Sequence, residues 1–228
     1  MEATARPRVK ICCIMSVEEA DLAVTAGAHA LGLVAAMPSG PGVIADDRIA
    51  AIARIVPPAV ATFLLTSHQR AEDIVRHQRA VGTSTVQLVD RLAHGTYGEL
   101  RAALPGIKLV QVIHVTGPEA VDDALAAAPD VDGLLLDSGN PSLAVKELGG
   151  TGRRHDWTVS REIRERAPIP VFLAGGLTSE NVGDAITAVG PFGLDLCSGV
   201  RTDGRLDSGK LTAFVEAVGG YGGRGGRA

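Results

Sequence analysis

Short runs of β-branched and other apolar residues alternate along the chain with Ala-rich stretches whose apolar positions recur at helical spacing. The strand-like runs are Val9 to Cys12, Ala30 to Ala35, Ala59 to Leu65, Thr85 to Leu88, Lys108 to His114, Gly133 to Leu136, Ile169 to Leu173 and Gly193 to Cys197. Helices are predicted to start near Ser16, Asp46, Gln69, Thr96, Gly117, Thr158, Ser179 and Ser208. Ser16 stands before Glu18 and Glu19, and Ser179 before Glu180. A hydroxyl there caps the first free N–H groups, and acids meet the positive end of the helix dipole. Gly27 and Gly82 stand where two helices should end.

Strands alternating with helices imply parallel pairing through right-handed crossovers. Eight such units fill residues 1–218 and leave no room for a second domain. The pattern therefore predicts a single-domain closed (β/α)8 barrel of the α/β class. Most of the strands are apolar throughout, as a sheet covered on both faces requires. Residues 219–228, Gly219 to Ala228, are Gly- and Arg-rich and are expected to be disordered.

Composition narrows the function classes. The 228 residues are 46% hydrophobic and 21% charged, ordinary for one globular domain. With 22 basic and 26 acidic side chains the formal net charge is −4, which argues against nucleic acid or an anionic membrane as partner. At 3% aromatic residues there is no platform for stacking bases. No apolar run approaches the ~18 residues of a membrane span. Met1 to Arg8 lead into the first strand without an apolar leader core, and three cysteines make no disulfide framework, so a reducing cytoplasm is the expected location.

Barrels of this kind carry their chemistry at the C-terminal ends of the strands. Cys12 ends the first strand; it is either a small buried hydrophobe or a functional thiol. Cys13 is expected to point to the opposite face, because side chains alternate along a strand. Asp137 closes the apolar run Leu134-Leu135-Leu136, where exclusion of water would raise its pKa and let it donate a proton near neutrality. Gly149-Gly150-Thr151-Gly152 lies within a long loop and is expected to act as a lid. Gly175-Gly176 and Ser198-Gly199 follow strands seven and eight, the recurrent phosphate site of this fold, and are expected to present backbone N–H groups to an anion. His114 ends strand five and is a candidate ligand contact. No His/Cys/Asp spacing suggests a metal.

The segments VKICCIMSVEEADLAVTAGAHALGLV, LLLDS, GGTGRRHDW, VFLAGGLTSENVGDAI and FGLDLCSGV, in this order, resemble phosphoribosylanthranilate isomerases over nearly the whole chain. The resemblance implies an Amadori rearrangement of N-(5-phosphoribosyl)anthranilate to the corresponding 1-deoxyribulose 5-phosphate, in tryptophan biosynthesis. It implies Cys12 as general base and Asp137 as general acid, Gly175, Gly176, Ser198 and Gly199 as the phosphate cradle, and Asp195 as a contact to the sugar or support for that cradle. Gln87 keeps its place in the family's Val-Gln-Leu-His and is expected to bind substrate with Asp195 and His114. No cofactor is implied. The partner is a small phosphosugar, and the chain is expected to be a monomer or homodimer.

Several positions depart from the family pattern. Cys13 replaces its usual Gly, and Gly40-Pro41-Gly42 replaces Ser-Pro-Arg. Val89 replaces His, His155 replaces Phe, Cys197 replaces Ser and Arg201 replaces Glu. The lost Arg and His belong to the end that receives the anthranilate, so Arg at 42 and His at 89 are expected to rebuild it. The pattern also fits a paralogous isomerase acting on another 5-phosphosugar conjugate. A non-catalytic phosphate-binding paralogue would need neither Cys12 nor Asp137.

Overall fold

A computed structural model describes residues 6–139, 148 and 153–221. The strands are β1 (Arg8–Ile11), β2 (Ala30–Val34), β3 (Ala61–Thr66), β4 (Thr85–Leu88), β5 (Lys108–His114), β6 (Gly133–Asp137), β7 (Val171–Leu173) and β8 (Gly193–Leu196). They pair in sequence order, all parallel, and β8 returns to β1 to close a barrel. The closing register sets Lys10 against Asp195 and Ile11 against Leu196. The helices are α1 (Val17–Thr25), α2 (Asp46–Ile55), α3 (Ala71–Val81), α4 (Tyr97–Ala103), α5 (Ala120–Ala127), α6 (Trp157–Arg166), α7 (Val182–Val189) and α8 (Ser208–Tyr221).

Alternation along each strand splits the apolar residues into two buried sets. One set, including Ile11, Leu31, Leu33, Leu64, Val86, Leu109 and Leu134, packs with the helices, where most of the core lies. The other, including Ala30, Phe63, Leu65, Val110, Val112, Leu135 and Phe172, fills the barrel. Phe172 meets both Phe63 and Phe192 edge to face. Gly193 makes room for that stack, since a Cβ there would lie 2.5 Å from the Phe172 ring.

Element ends depart from the expected positions for local reasons. β3 begins at Ala61 because Pro57 and Pro58 open a turn before it. β7 begins at Val171, since Pro170 has no N–H for the ladder. The Ser16 cap forms, its hydroxyl accepting from Glu19 N, and Thr96 with Glu99 forms a full capping box. α7 starts at Val182, with Asn181 at its cap, later than expected from Ser179. A hairpin of two short strands, β9 (Arg201–Thr202) and β10 (Arg205–Leu206), follows β8 and was not expected from the pattern.

The boundary at Val218 falls short. Gly219 to Tyr221 complete α8, and the Tyr221 hydroxyl hydrogen-bonds Thr187 Oγ1 at 2.6 Å. Residues 222–228, the rest of the expected disordered tail, lie outside the described residues, as does the expected lid segment 149–152. α8 is held chiefly by Leu211, Phe214 and Val218, each fully buried. Phe214→Ala should cost about 3–5 kcal/mol, the usual range for emptying a buried aromatic site. Guanidinium unfolding checks this; a loss under about 1 kcal/mol would mean that α8 is not part of the cooperative core.

Candidate active site

The floor of the barrel mouth is a buried ion pair. Lys10 points inward from β1, is wholly buried, and its Nζ donates to Asp195 Oδ1 at 2.8 Å. Nζ also lies 5.2 Å from the centre of the Phe63 ring. Burial alone would push the ammonium's pKa down, but the Asp195 carboxylate outweighs it and holds the pKa above the ordinary lysine value.

Cys12 follows Lys10 by two residues and enters the same mouth. Gly32 on β2 leaves the space for both: a Cβ there would lie 2.8 Å from Cys12 Sγ and 3.1 Å from Lys10 Nζ. The thiol therefore stands beside a fixed cation. Cys13 does not point away, as strand alternation suggested. β1 has ended at Ile11, and Cys13 adopts φ 62°. Cys12 and Cys13 both line the mouth. Cys13 Sγ lies 2.7 Å from Cys197 Sγ. Hydrogen bonds with Cys12 and Cys197, together with burial, push the Cys13 thiol well above its usual range.

Asp137 ends β6, paired in register with His114 on β5. It is buried, and burial raises its carboxyl above the usual range. A hydrogen bond from Ser138 N at 2.7 Å and the charges of His114 and Lys10 pull the other way without cancelling that effect.

The loops after β7 and β8 meet at the mouth. Gly175 and Gly176 have φ of 87° and 62°, open to glycine and strained for other residues. Asn181 shapes the first loop, donating from Nδ2 to Gly176 O and accepting at Oδ1 from Thr178 N. Ser198 and Gly199 form a single 3-10 turn with Val200. A Cβ on Gly199 would stand 2.0 Å from Leu177 O, so only glycine lets the two loops touch. His155 lies beside Gly175; burial pushes its pKa down to about 4, leaving a neutral imidazole at pH 7.

Cys12, Asp137, Gly175, Gly176, Asp195, Ser198, Gly199 and Gln87 line one cleft. Gln87 Oε1 is buried there without a hydrogen-bond partner among the described residues. His114 is the exception among the predicted site residues. It lines a separate cleft with Asp90, Arg91 and Tyr97, and its Nε2 donates to Val89 O at 2.9 Å. It faces Asp137 by its charge and is not brought into the mouth. No group of three or more His, Cys, Asp or Glu among the described residues is arranged to hold a metal ion.

The altered rim has a steric reason. A Cβ on Gly42 would lie 2.4 Å from Cys13 Cβ, and Gly42 has φ 78°. Arg at 42 alone therefore does not fit, contrary to the expectation above. Val89 is buried among Cys12, Cys13 and Leu65 and does not line the mouth. Arg201 was recognised only as a departure. Its guanidinium binds both oxygens of Glu19 at 2.9 Å and donates to Cys13 O, locking the corner after β1 to the β9–β10 hairpin.

The family model described as N-(5'phosphoribosyl)anthranilate (PRA) isomerase matches residues 9–217. N-(5'-phosphoribosyl)anthranilate isomerase 2 of Methanosarcina mazei is 37% identical over 210 residues, covering 91% of this chain and 92% of the relative. The structure of phosphoribosyl anthranilate isomerase from Thermotoga maritima is similar with a TM-score of 0.77 at 29% identity, covering 94% of this chain and 99% of that one. A phosphoribosyl anthranilate isomerase in complex with reduced 1-(o-carboxyphenylamino)-1-deoxyribulose 5-phosphate is similar with a TM-score of 0.75 at 27% identity, with the same coverage.

Lys10→Met should destabilise the fold by about 3–5 kcal/mol, because it strands the Asp195 carboxylate in the barrel. Lys10→Met combined with Asp195→Leu should recover most of that loss, read from urea unfolding. Equal instability of the single and double variants would show that the pair contributes no mutual stabilisation.

Proposed function

Because the chain belongs to the N-(5'-phosphoribosyl)anthranilate isomerase family, we propose that Cys12 and Asp137 carry out that family's reaction in the mouth of this barrel. The activity is an intramolecular aldose–ketose isomerisation in tryptophan biosynthesis. The observation that supports these residue roles is that a thiol beside a cation, a carboxyl whose pKa burial raises, and two glycine-bearing loops line one cleft.

Asp137, in its acid form, protonates the furanose ring oxygen, and the C1′–O bond breaks to leave a protonated Schiff base on the anthranilate nitrogen. Cys12, as thiolate, takes the proton from C2′, and the electron pair of that bond moves to the cationic imine to give an enolamine. Tautomerisation then delivers the ketose. The base needs no metal, since C2′ is already acidified by the neighbouring iminium. Gly175, Gly176, Ser198 and Gly199 hold the 5′-phosphate through backbone N–H groups. Asp195 and Gln87 contact the sugar. The anthranilate takes the part of the cleft lined by Met37, Ser39 and Pro41.

Acid catalysis by Asp137 fixes the sign of the pH dependence. Turnover should fall as pH rises through the Asp137 titration, and burial places that fall above the ordinary carboxylate range. Cys12→Ser and Asp137→Asn should each lower kcat by about 10²–10⁴-fold, the usual worth of a positioned acid or base. Both should fail to rescue a tryptophan auxotroph lacking the isomerase, with native circular dichroism. Rescue by either variant would remove that residue from its role. Failure of the unaltered chain to rescue, with turnover of another 5-phosphosugar conjugate, would point to a changed aglycone. Gly199→Ala should raise KM and weaken inhibition by inorganic phosphate by at least about tenfold, or 1.4 kcal/mol. An unchanged phosphate inhibition constant would place the anion elsewhere.

A further inference from the structure

We propose that Cys13 and Cys197 form an oxidative modification site, where a peroxide converts the two thiols into a reversible disulfide joining the end of β1 to the loop after β8. The two Sγ atoms stand 2.7 Å apart. That is inside the roughly 3.5–4.0 Å at which non-bonded heavy atoms rest, and within about 1 Å of the bonded S–S length near 2.05 Å. The backbone brings them together in a specific way. Cys12 N donates to Leu196 O at 2.7 Å, which continues the β1–β8 ladder one residue past the end of β1. The positive φ of Cys13 then swings its side chain across to Cys197 instead of outward to the helices.

Cys12 is the third sulfur of the cluster and is not the partner. Cys12 and Cys13 are joined by a trans peptide. Their Cα atoms are thus ~3.8 Å apart, below the ~4.4–6.8 Å that a disulfide spans. Cys12 keeps its place against Gly32 and Lys10.

The oxidant has a route and a first target. Cys197 is partly exposed and lines the open cleft, whereas Cys13 is buried behind it. The hydrogen bond between Cys197 and Cys13 lowers the Cys197 pKa against the opposing effect of burial, and Arg201 adds to the lowering. The Cys197 thiolate attacks one peroxide oxygen; the O–O bond breaks, hydroxide leaves, and a sulfenic acid remains. Cys13 sulfur then attacks Cys197 sulfur, the S–S bond forms, and the S–O bond breaks. Water leaves with the proton that Cys13 held. Two electrons from the two sulfurs have reduced one peroxide, and a dithiol reverses the step by exchange. The bond removes the thiol proton that Cys13 shares with Cys12 and tethers the backbone next to Ser198 and Gly199. In a reducing compartment such a disulfide is transient, as redox-responsive ones are.

The chain has three cysteines, so the test is a thiol count on denatured, alkylated protein after brief exposure to hydrogen peroxide. The unaltered chain should fall from three free thiols to one, with an intact mass lower by two hydrogens, and dithiothreitol should restore all three. Cys12→Ser should fall from two to none. Cys13→Gly relieves the positive φ and Cys197→Ser is a small change, so both should fold; neither should lose two hydrogens to a disulfide, Cys13→Gly stopping at a Cys197 sulfenic acid and Cys197→Ser keeping both remaining thiols. Three thiols retained in the unaltered chain, or two retained in Cys12→Ser, would overturn the proposal. The count reads bond formation and not turnover, so it is independent of the roles given to Cys12 and Asp137.

Discussion

A lysine buried to its last atom inside a barrel needs a counter-charge, and the seam between the first and last strands supplies one. Lys10 and Asp195 are register partners across the β1–β8 closure, and their side chains meet inside it. Taking either charge out of water alone would cost several kcal/mol. The pair therefore forms only when the barrel is closed in this register, and it ties closure of the fold to assembly of the mouth. It also sets the polarity there. A fixed cation lies under Cys12, and the Asp195 carboxylate beside it adds to the raised pKa of Asp137.

The departures around Cys12 form one connected change. Cys13 brings a Cβ and a sulfur to a left-handed position where a glycine would sit without strain. Gly42 must then stay bare, because its own Cβ would run into Cys13. Cys197 provides the sulfur that Cys13 faces, and Arg201 secures the Cys13 carbonyl while pairing with Glu19. A cation at position 42 and a side chain at position 13 thus exclude each other sterically. With Cys13 in this conformation position 42 has no room for a side chain, while the thiol, the carboxyl and the glycine loops still line one cleft.

Most of the fold is legible in the chain because its signals are local. Continuous apolar runs, caps such as Ser16 and Thr96, and the terminal Gly82 each act within a few residues. The eight-fold alternation then leaves one closed parallel arrangement. Cys12, Asp137 and the glycine loops are legible for the same reason, since each ends a strand. What is not legible depends on contacts between distant segments. Lys10 looks like an ordinary strand lysine until Asp195, 185 positions later, is placed beside it. Cys13 looks outward-facing because alternation assumes that the strand continues, and only the conformation after Ile11 breaks that assumption. His114 ends a strand like the others, yet its ring turns to Val89 O and a neighbouring cleft. The end of α8 depends on Tyr221 reaching Thr187, which composition alone hides behind two glycines.

One cleft holds two carboxyl groups, and the structure separates their tasks by environment. Asp195 has the Lys10 ammonium at 2.8 Å and serves as a structural anchor. Among the described residues Asp137 accepts from the Ser138 N–H, and burial together with the neighbouring Asp195 charge raises its pKa. The same lysine that fixes Asp195 also lies beside the Cys12 thiol. An acid and a base can coexist in one small pocket only if they are kept from neutralising each other, and here that separation comes from which of the two carboxyls the lysine can reach.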